Sequence, residues 1–225
     1  MKKLLNPLVV CGFILVLMLG SLAHLMYGSC QSSKWHYIVQ CYYIQEYLPS
    51  WMLANNNPVI LGKLDKGTIK VYSNFSGIWK TWHSNGNMEY KIEYQNGSLN
   101  GKYERWFDNR NKDFSCYFVN DIIKGNFANW HSNGKIKNSG KFHGAKEEGR
   151  HEKWYSNGGK LSAGYWKKGK RIGNHKSWYS NGNKESNEIF KNNIRASKEE
   201  WNKDGSINKK EYYDPQRQLP KERAL

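Results

Sequence analysis

Cysteine is scarce in this chain: only four occur, at irregular spacing. That excludes the dense disulfide framework of small secreted domains. Cys11 lies inside an apolar run, and Cys30 is a candidate site of lipid attachment. Cys41 and Cys116 could pair in an oxidising compartment, but no other copy of the repeat described below has a cysteine in the place of Cys116. We therefore favour a small buried thiol there.

Catalytic and metal-binding motifs are also missing. The chain has no His-Glu-x-x-His, paired-cysteine or Gly-x-Ser-x-Gly motif and no phosphate loop, and its acidic residues do not recur in register. His151 and His175 do recur in register, but two intervening strands would hold them about 10 Å apart, too far to share one zinc ion. We predict no enzymatic activity, no cofactor and no metal site.

Acidic residues are outnumbered: 19 stand against 35 Lys and Arg, giving a net charge of +16, most of it after residue 76. A basic surface favours anionic partners, such as lipid headgroups, cell-wall polymers or acidic proteins. The basic residues are scattered rather than striped, which disfavours nucleic acid. A simpler interpretation is a solvated ribbon whose lysines keep its edges from aggregating.

The most regular feature that is present is a repeat of 24 residues, marked by a glycine and, five residues later, a tryptophan. The glycines are Gly77, Gly101, Gly125, Gly149 and Gly173, and the tryptophans are Trp82, Trp106, Trp130, Trp154 and Trp178. A sixth, shortened copy contains Trp201. An unbroken period of this length indicates one supersecondary unit copied in tandem, because a single unit cannot bury its own apolar face.

Two turns fall in each copy. Asn-Gly follows each tryptophan closely, as in Asn85-Gly86, with Asn109-Arg110 as the departure. Asn-Gly between aromatic-rich runs predicts a type I′ hairpin turn, with positive φ at both residues. A second turn, assigned to His143-Gly144 in the third copy, follows a second aromatic ladder. That ladder is Tyr94, Phe118, Phe142, Trp166 and Phe190.

Each copy therefore contains two strands and two tight turns. We predict an all-β fold: an elongated single-layer antiparallel meander of tandem 24-residue β-hairpin repeats, preceded by an N-terminal apolar helix. The predicted divisions are a signal peptide or membrane anchor (1–29), a pre-repeat segment (30–60), a degraded capping repeat (61–76), six repeats (77–213) and a disordered tail (214–225). The pre-repeat segment contains a strand or a short helix.

Strand alternation separates two rows of side chains. The tryptophans five residues after glycine fall on one face. The residues two after glycine, which are Trp79, Tyr103, Phe127, His151 and His175, fall on the other. We predict that this second row is exposed and forms the binding face, because the tryptophans have the more regular spacing expected of packing. The alternative is that the row is only a second stacked ladder.

These copies resemble the MORN-variant repeat family, whose short units of the form Trp-Tyr-x-Asn-Gly build a ribbon of β-hairpins. The matching stretches are residues 82–86, 130–134, 154–158 and 178–182. The resemblance covers residues 77 to 213 and implies the hairpin fold. Many bacterial members carry an antitoxin label, which implies a toxin-neutralising partner as one candidate function.

The amino terminus has two lysines, Lys2 and Lys3, before an apolar run over residues 4–27. This order directs the following chain outward across the cytoplasmic membrane. Three outcomes stay open: lipidation of Cys30 in a stretch similar to a bacterial lipobox, an uncleaved signal anchor of about 20 apolar residues, or cleavage after Ala23. Each outcome places the repeats outside the cytoplasm.

Together these features predict a non-enzymatic, membrane-tethered or secreted repeat protein that serves as a macromolecular binding scaffold. The predicted partner is a protein or an anionic surface. The alternatives are an antitoxin-like protein that neutralises a toxin and a binder of anionic membrane or cell-wall surfaces.

Overall fold

The computed structural model describes residues 7–27, 33–44, 74–213 and 220–221. Helix α1 spans Pro7–Tyr27, and α2, Lys34–Ile38, continues into a π-helical segment, Val39–Ile44. The strands are β1 Gly77–Trp82, β2 Met88–Gln95, β3 Ser98–Trp106, β4 Lys112–Val119, β5 Ile122–Ile123, β6 Gly125–Trp130, β7 Ile136–His143, β8 Lys146–Trp154, β9 Lys160–Lys167, β10 Lys170–Trp178, β11 Lys184–Lys191, β12 Ile194–Trp201, β13 Ile207–Tyr213 and β14 Pro220–Lys221.

All fourteen strands belong to one open antiparallel sheet. Thirteen of them follow one another across it in chain order, and the short β5 pairs with β4 beside that path. Neighbours in the sequence are thus neighbours in the sheet, as expected when short turns join successive strands. The predicted all-β antiparallel meander is confirmed.

The turn after each tryptophan has a different geometry from the one predicted. In the first copy, the His83 N–H donates to the carbonyl of Asn87 and the Gly86 N–H donates to the carbonyl of His83, each over 2.8 Å. Gly86 has positive φ but Asn85 does not. This is a three-residue loop, a type I turn followed by one left-handed residue. Arg110 takes the same conformation in the second copy, at φ 72°, so the missing glycine does not change the turn.

Type I′ geometry occurs instead at the other turn of each copy. Both central residues there have positive φ, as at Asn96 (49°) and Gly97 (78°). In the third copy the central residues are Gly144 and Ala145 rather than the predicted His143 and Gly144. The fold therefore contains type I′ turns, but they follow the second aromatic ladder and not, as predicted, the repeat tryptophans.

The turn asparagines link each copy to the next. Asn133 Oδ1 accepts a hydrogen bond from the Lys135 N–H within its own turn (3.1 Å), and Asn133 Nδ2 donates to the carbonyl of Ser156 in the following copy (2.8 Å). The same pair of bonds is made by Asn85, Asn109, Asn157 and Asn181. Asparagine suits this position because its amide both accepts and donates.

One face of the sheet is filled by a continuous stack of rings, which we call the ladder face. Gly149 lies opposite Trp166, and His151 lies opposite Gly164, so rows two residues apart share this face. Ring centroids lie 4.9 Å apart for His151–Trp166 and 4.6 Å apart for Trp166–His175. Such contacts contribute about 0.5–1.5 kcal/mol each beyond the burial of area.

Glycine makes room for the two histidine rings of this stack. A Cβ atom added to Gly164 would lie 2.2 Å from His175 Nδ1, and one added to Gly140 would lie 2.4 Å from His151 Nδ1. Each ring covers the backbone of the preceding strand. His175 Nε2 donates to the carbonyl of Tyr165 over 2.9 Å.

The first copy is covered by α2 and the π-helical segment. Tyr37 and Ile38 form one buried cluster with side chains of β1 and β2, including Trp79. The Tyr42 hydroxyl donates to the carbonyl of Trp82, as the Tyr155 hydroxyl does to Trp178 one copy ahead. The pre-repeat segment thus supplies the contact that a preceding copy would make. The predicted capping repeat over 61–76 lies outside the described residues except for 74–76.

Other sequence predictions meet the described residues only in part. Cys116 is buried with a free thiol, and burial raises its pKa to about 12, so it forms no disulfide with Cys41. Cys30 lies outside the described residues. Pro220–Lys221, within the tail predicted to be disordered, pairs with β13. Across the described ranges, no helix combines the length and hydropathy needed to cross a bilayer.

We expect Gly164→Ala to destabilise the protein by about 1–3 kcal/mol, because the new Cβ overlaps the His175 ring. Gly164 has no positive φ, so the cost is steric. Urea unfolding measures it, and a second change, His175→Ser, should restore part of the loss. A Gly164→Ala protein as stable as the parent would show that the ring does not rest on this backbone.

Asn133→Asp should lower the free energy of unfolding by about 1 kcal/mol, because the carboxylate keeps the acceptor but loses the donor to Ser156. Asp204 provides the matched control, since it occupies the same turn position in the last copy and accepts from the Ser206 N–H. Asp204→Asn has no following copy to reach and should change stability little. Equal effects of the two substitutions in urea unfolding would contradict the proposed link.

Candidate functional site

The row predicted to form an exposed binding face is the packed one. Trp79 is 2% exposed, and His151 and His175 are each 8% exposed, while Tyr103 and Phe127 are half-buried. The prediction of exposure was wrong because this row lies on the same face as the second aromatic ladder, and the rings of the two rows stack on each other. The alternative interpretation, a second stacked ladder, describes this row.

The opposite face, which we call the basic face, carries a different row of exposed apolar side chains. Its members stand sixteen residues after the repeat glycine: Tyr117, Tyr165 and Ile189 are 48%, 46% and 37% exposed. Tyr212 follows in the shortened copy at 47%. Members in adjacent copies are two strands, or about 10 Å, apart. The third copy has Lys141 at this position, so Tyr117 and Tyr165 are four strands, or about 19 Å, apart.

Cations lie directly across the strand from two members of this row. Lys102 is the partner of Tyr117 and Arg150 is the partner of Tyr165 in the pairing register. Both are exposed. The exposed row on the basic face therefore presents aromatic rings beside positive charge.

Buried carboxylates hold part of that charge in place. Glu104 lies between Lys102 (3.1 Å) and Lys112 (3.0 Å). Burial alone would raise the pKa of Glu104, but hydrogen bonds from the two lysines outweigh it and lower the pKa. Glu152 makes the equivalent pairs with Arg150 and Lys160.

Lysine side chains of one copy lie over repeat tryptophans of the next copy. Lys112 Nζ lies 5.7 Å from the ring centroid of Trp130 in the next copy, and Lys160 Nζ lies 5.8 Å from that of Trp178. These cation–π contacts join neighbouring copies. Their regular spacing reflects packing, as predicted.

The Tyr117 row was missed from the sequence although a signal for it exists. Its members have the opposite strand parity from the second aromatic ladder, one position away. Only three of the five full-length copies have a large apolar residue there, since Glu93 and Lys141 interrupt the row. A search for one residue type repeated in every copy does not detect such a row.

A groove opens on the ladder face over the third to fifth copies. It has a volume of about 650 Å³, and its lining includes Phe127, Asn138, Ser162, Trp166 and Ser186. The volume lies in the range of small-molecule sites. Among the described residues, no three His, Cys, Asp or Glu side chains come together as metal ligands.

The fold and its two faces define the class of protein: an open antiparallel β-meander of tandem copies. Neither the models of known protein families nor the curated proteins gave a match to this chain. The resemblance to MORN-variant repeats therefore stays a prediction.

Stability should fall as the pH drops below the ordinary histidine pKa of about 6.5. Burial, together with the charge of Arg171, keeps the pKa of His175 below that value despite opposing hydrogen bonds. The unfolded chain then binds the proton first, so the stability that His175 contributes is present above pH 6.5 and is lost as the pH falls through its folded pKa.

His175→Phe supplies the control, because Phe127 holds the equivalent position two copies earlier. Urea unfolding from neutral to mildly acidic pH should show a smaller loss of stability for this variant than for the parent. Identical pH profiles would assign the acid sensitivity to other groups.

Proposed function

We propose that this protein is a non-enzymatic binding scaffold whose basic face holds a macromolecular partner, most simply an acidic protein. The observation that carries this proposal is the row of exposed side chains, Tyr117, Tyr165, Ile189 and Tyr212, at one register position of an open sheet face.

Two physical arguments support a protein partner. Exposed aromatic side chains that recur at one register position, with cations beside them, give a partner several equivalent contact points along the sheet. Tyrosine and arginine are also enriched among the residues that dominate interface energies, since each combines a large contact area with a polar group. The Tyr165–Arg150 pair supplies both.

An anionic membrane or wall surface is a second candidate, favoured by the net charge of +16. Binding of that kind would depend on many exposed lysines and weaken steeply with salt, because exposed charges are screened over about 8 Å at physiological ionic strength. An antitoxin-like role is the special case of the first candidate in which one toxin is the partner, and its support is the family resemblance.

We also propose that the units are MORN-variant-like hairpin repeats in an elongated ribbon, and that the ribbon lies outside the cytoplasm, tethered or secreted. The constant 24-residue period supports the first proposal. The order of Lys2, Lys3 and the apolar run supports the second.

The test is affinity purification of the tagged full-length protein from its native membranes, with mass spectrometry after a high-salt wash. The parent is compared with a Tyr117→Ser/Tyr165→Ser variant, which should lose the dominant retained protein while unfolding at the same temperature. Lys141→Tyr, which restores the row in the third copy, should retain more of that protein.

Two results would contradict the protein-partner proposal. One is a retained protein that binds parent and double variant equally. The other is salt-sensitive binding of both to vesicles of phosphatidylglycerol and phosphatidylcholine with no protein retained, which would favour the anionic surface.

A further inference from the structure

The groove on the ladder face arises from a change of residue at one repeat position. Thirteen residues after the glycine, the first two copies have Tyr90 and Phe114, whereas the next three have Asn138, Ser162 and Ser186. Tyr90 is buried and Phe114 is half-buried. The short side chains leave open the space that the rings fill earlier in the sheet.

The floor of the groove is polar across both strands of each hairpin. Asn138 lies opposite Asn129, Ser162 opposite Lys153, and Ser186 opposite Ser177. Small hydroxyl and amide groups thus recur along three hairpins. They occupy both register positions in the first and third of these, while Lys153 takes one of the two in the second.

Two of these groups lack a protein partner. Asn129 Oδ1 and Asn138 Oδ1 are buried and accept no hydrogen bond from any described residue. A buried acceptor without a donor costs about 1–3 kcal/mol, and such groups are uncommon in folded proteins. Asn138 lines the groove, and because its Oδ1 is buried, the side chain would have to move for that oxygen to accept a hydrogen bond from a ligand.

Aromatic rings stand beside this polar floor. Phe127 and Trp166 line the groove and are half-buried, so part of each ring remains accessible. Accessible rings offer flat apolar surface to C–H groups. The groove therefore combines apolar faces with closely spaced hydrogen-bonding groups.

The charged residues that line the groove narrow the chemical class of the ligand further. Lys153 and Arg171 line the groove, but so do Glu147 and Glu188, and Glu188 is paired with Arg195 at 2.8 Å. A site for a phosphate or another strong anion would instead concentrate cations. A wholly apolar ligand would leave Asn138 Oδ1 unsatisfied.

We propose that the groove over the third to fifth copies binds an oligosaccharide chain. Such a ligand has hydroxyl donors and acceptors at short spacing for Asn138, Ser162 and Ser186, and apolar ring faces for Phe127 and Trp166. It also carries little charge. The site lies on the face opposite the Tyr117 row, so this inference does not depend on the proposed function.

The full-length protein should be titrated with short oligomers of β-1,4-linked glucose, N-acetylglucosamine and mannose, which are uncharged. Tryptophan fluorescence and calorimetry follow the binding. Ser162→Phe copies the side chain of Phe114 into the groove and should weaken binding by at least about tenfold. Asn138→Ala, a smaller change, should weaken binding, and because it removes an unpartnered buried oxygen it should not lower the unfolding temperature.

The Tyr117→Ser/Tyr165→Ser variant is the matched control and should bind the saccharide as tightly as the parent. The proposal is overturned if none of the three oligomers binds at millimolar concentration. It is also overturned if both groove variants bind like the parent, or if an extended Gly-Ser peptide binds in their place.

Discussion

Side chains at the turn of each copy donate hydrogen bonds to backbone carbonyls of the next copy, and the rest of the structure depends on these contacts. At the turn after the tryptophan, the asparagine amide donates to the next turn. The aromatic residue after the tryptophan does the same: His83 Nε2 donates to the carbonyl of Trp106, and Tyr179 Oη to that of Trp201. The links span 23 residues between full-length copies and 22 residues into the shortened last copy, so they fix which turns meet while tolerating one residue of difference in the strands between them.

Those links leave the two faces of the sheet free to differ. The ladder face carries ring contacts as far as Phe190 and is covered by α2 at its start, but from the third copy onward short side chains leave it open thirteen residues after the glycine. The basic face carries cations together with the exposed Tyr117 row, and the buried carboxylate of Glu104 pairs with Lys112, which lies over Trp130. Architecture and binding surface are therefore separable in this chain, because the contacts that hold the copies together lie at the turns and in the ring stack.

The period, the meander and the packing role of Trp130 and Trp178 could be predicted from the sequence, because they follow from spacing and turn residues alone. The burial of Trp79 and His175 could not be predicted in this way, since it depends on whether their row shares a face with the second aromatic ladder. That is decided by register across the hairpin: Gly173 opposite Phe190 puts His175 beside that ring. The type I′ turn was likewise misplaced because Asn-Gly suits both hairpin geometries, and only the loop length distinguishes them.

The last copy carries its own termination signal. Five turns have asparagine, whose amide donates to the next copy. Asp204 has only acceptors, and it accepts from Ser206 within its own turn. A further copy would present a carbonyl to that carboxylate, two acceptors facing each other. A further copy placed after this turn would therefore lack the side-chain hydrogen bond that asparagine makes between the other copies.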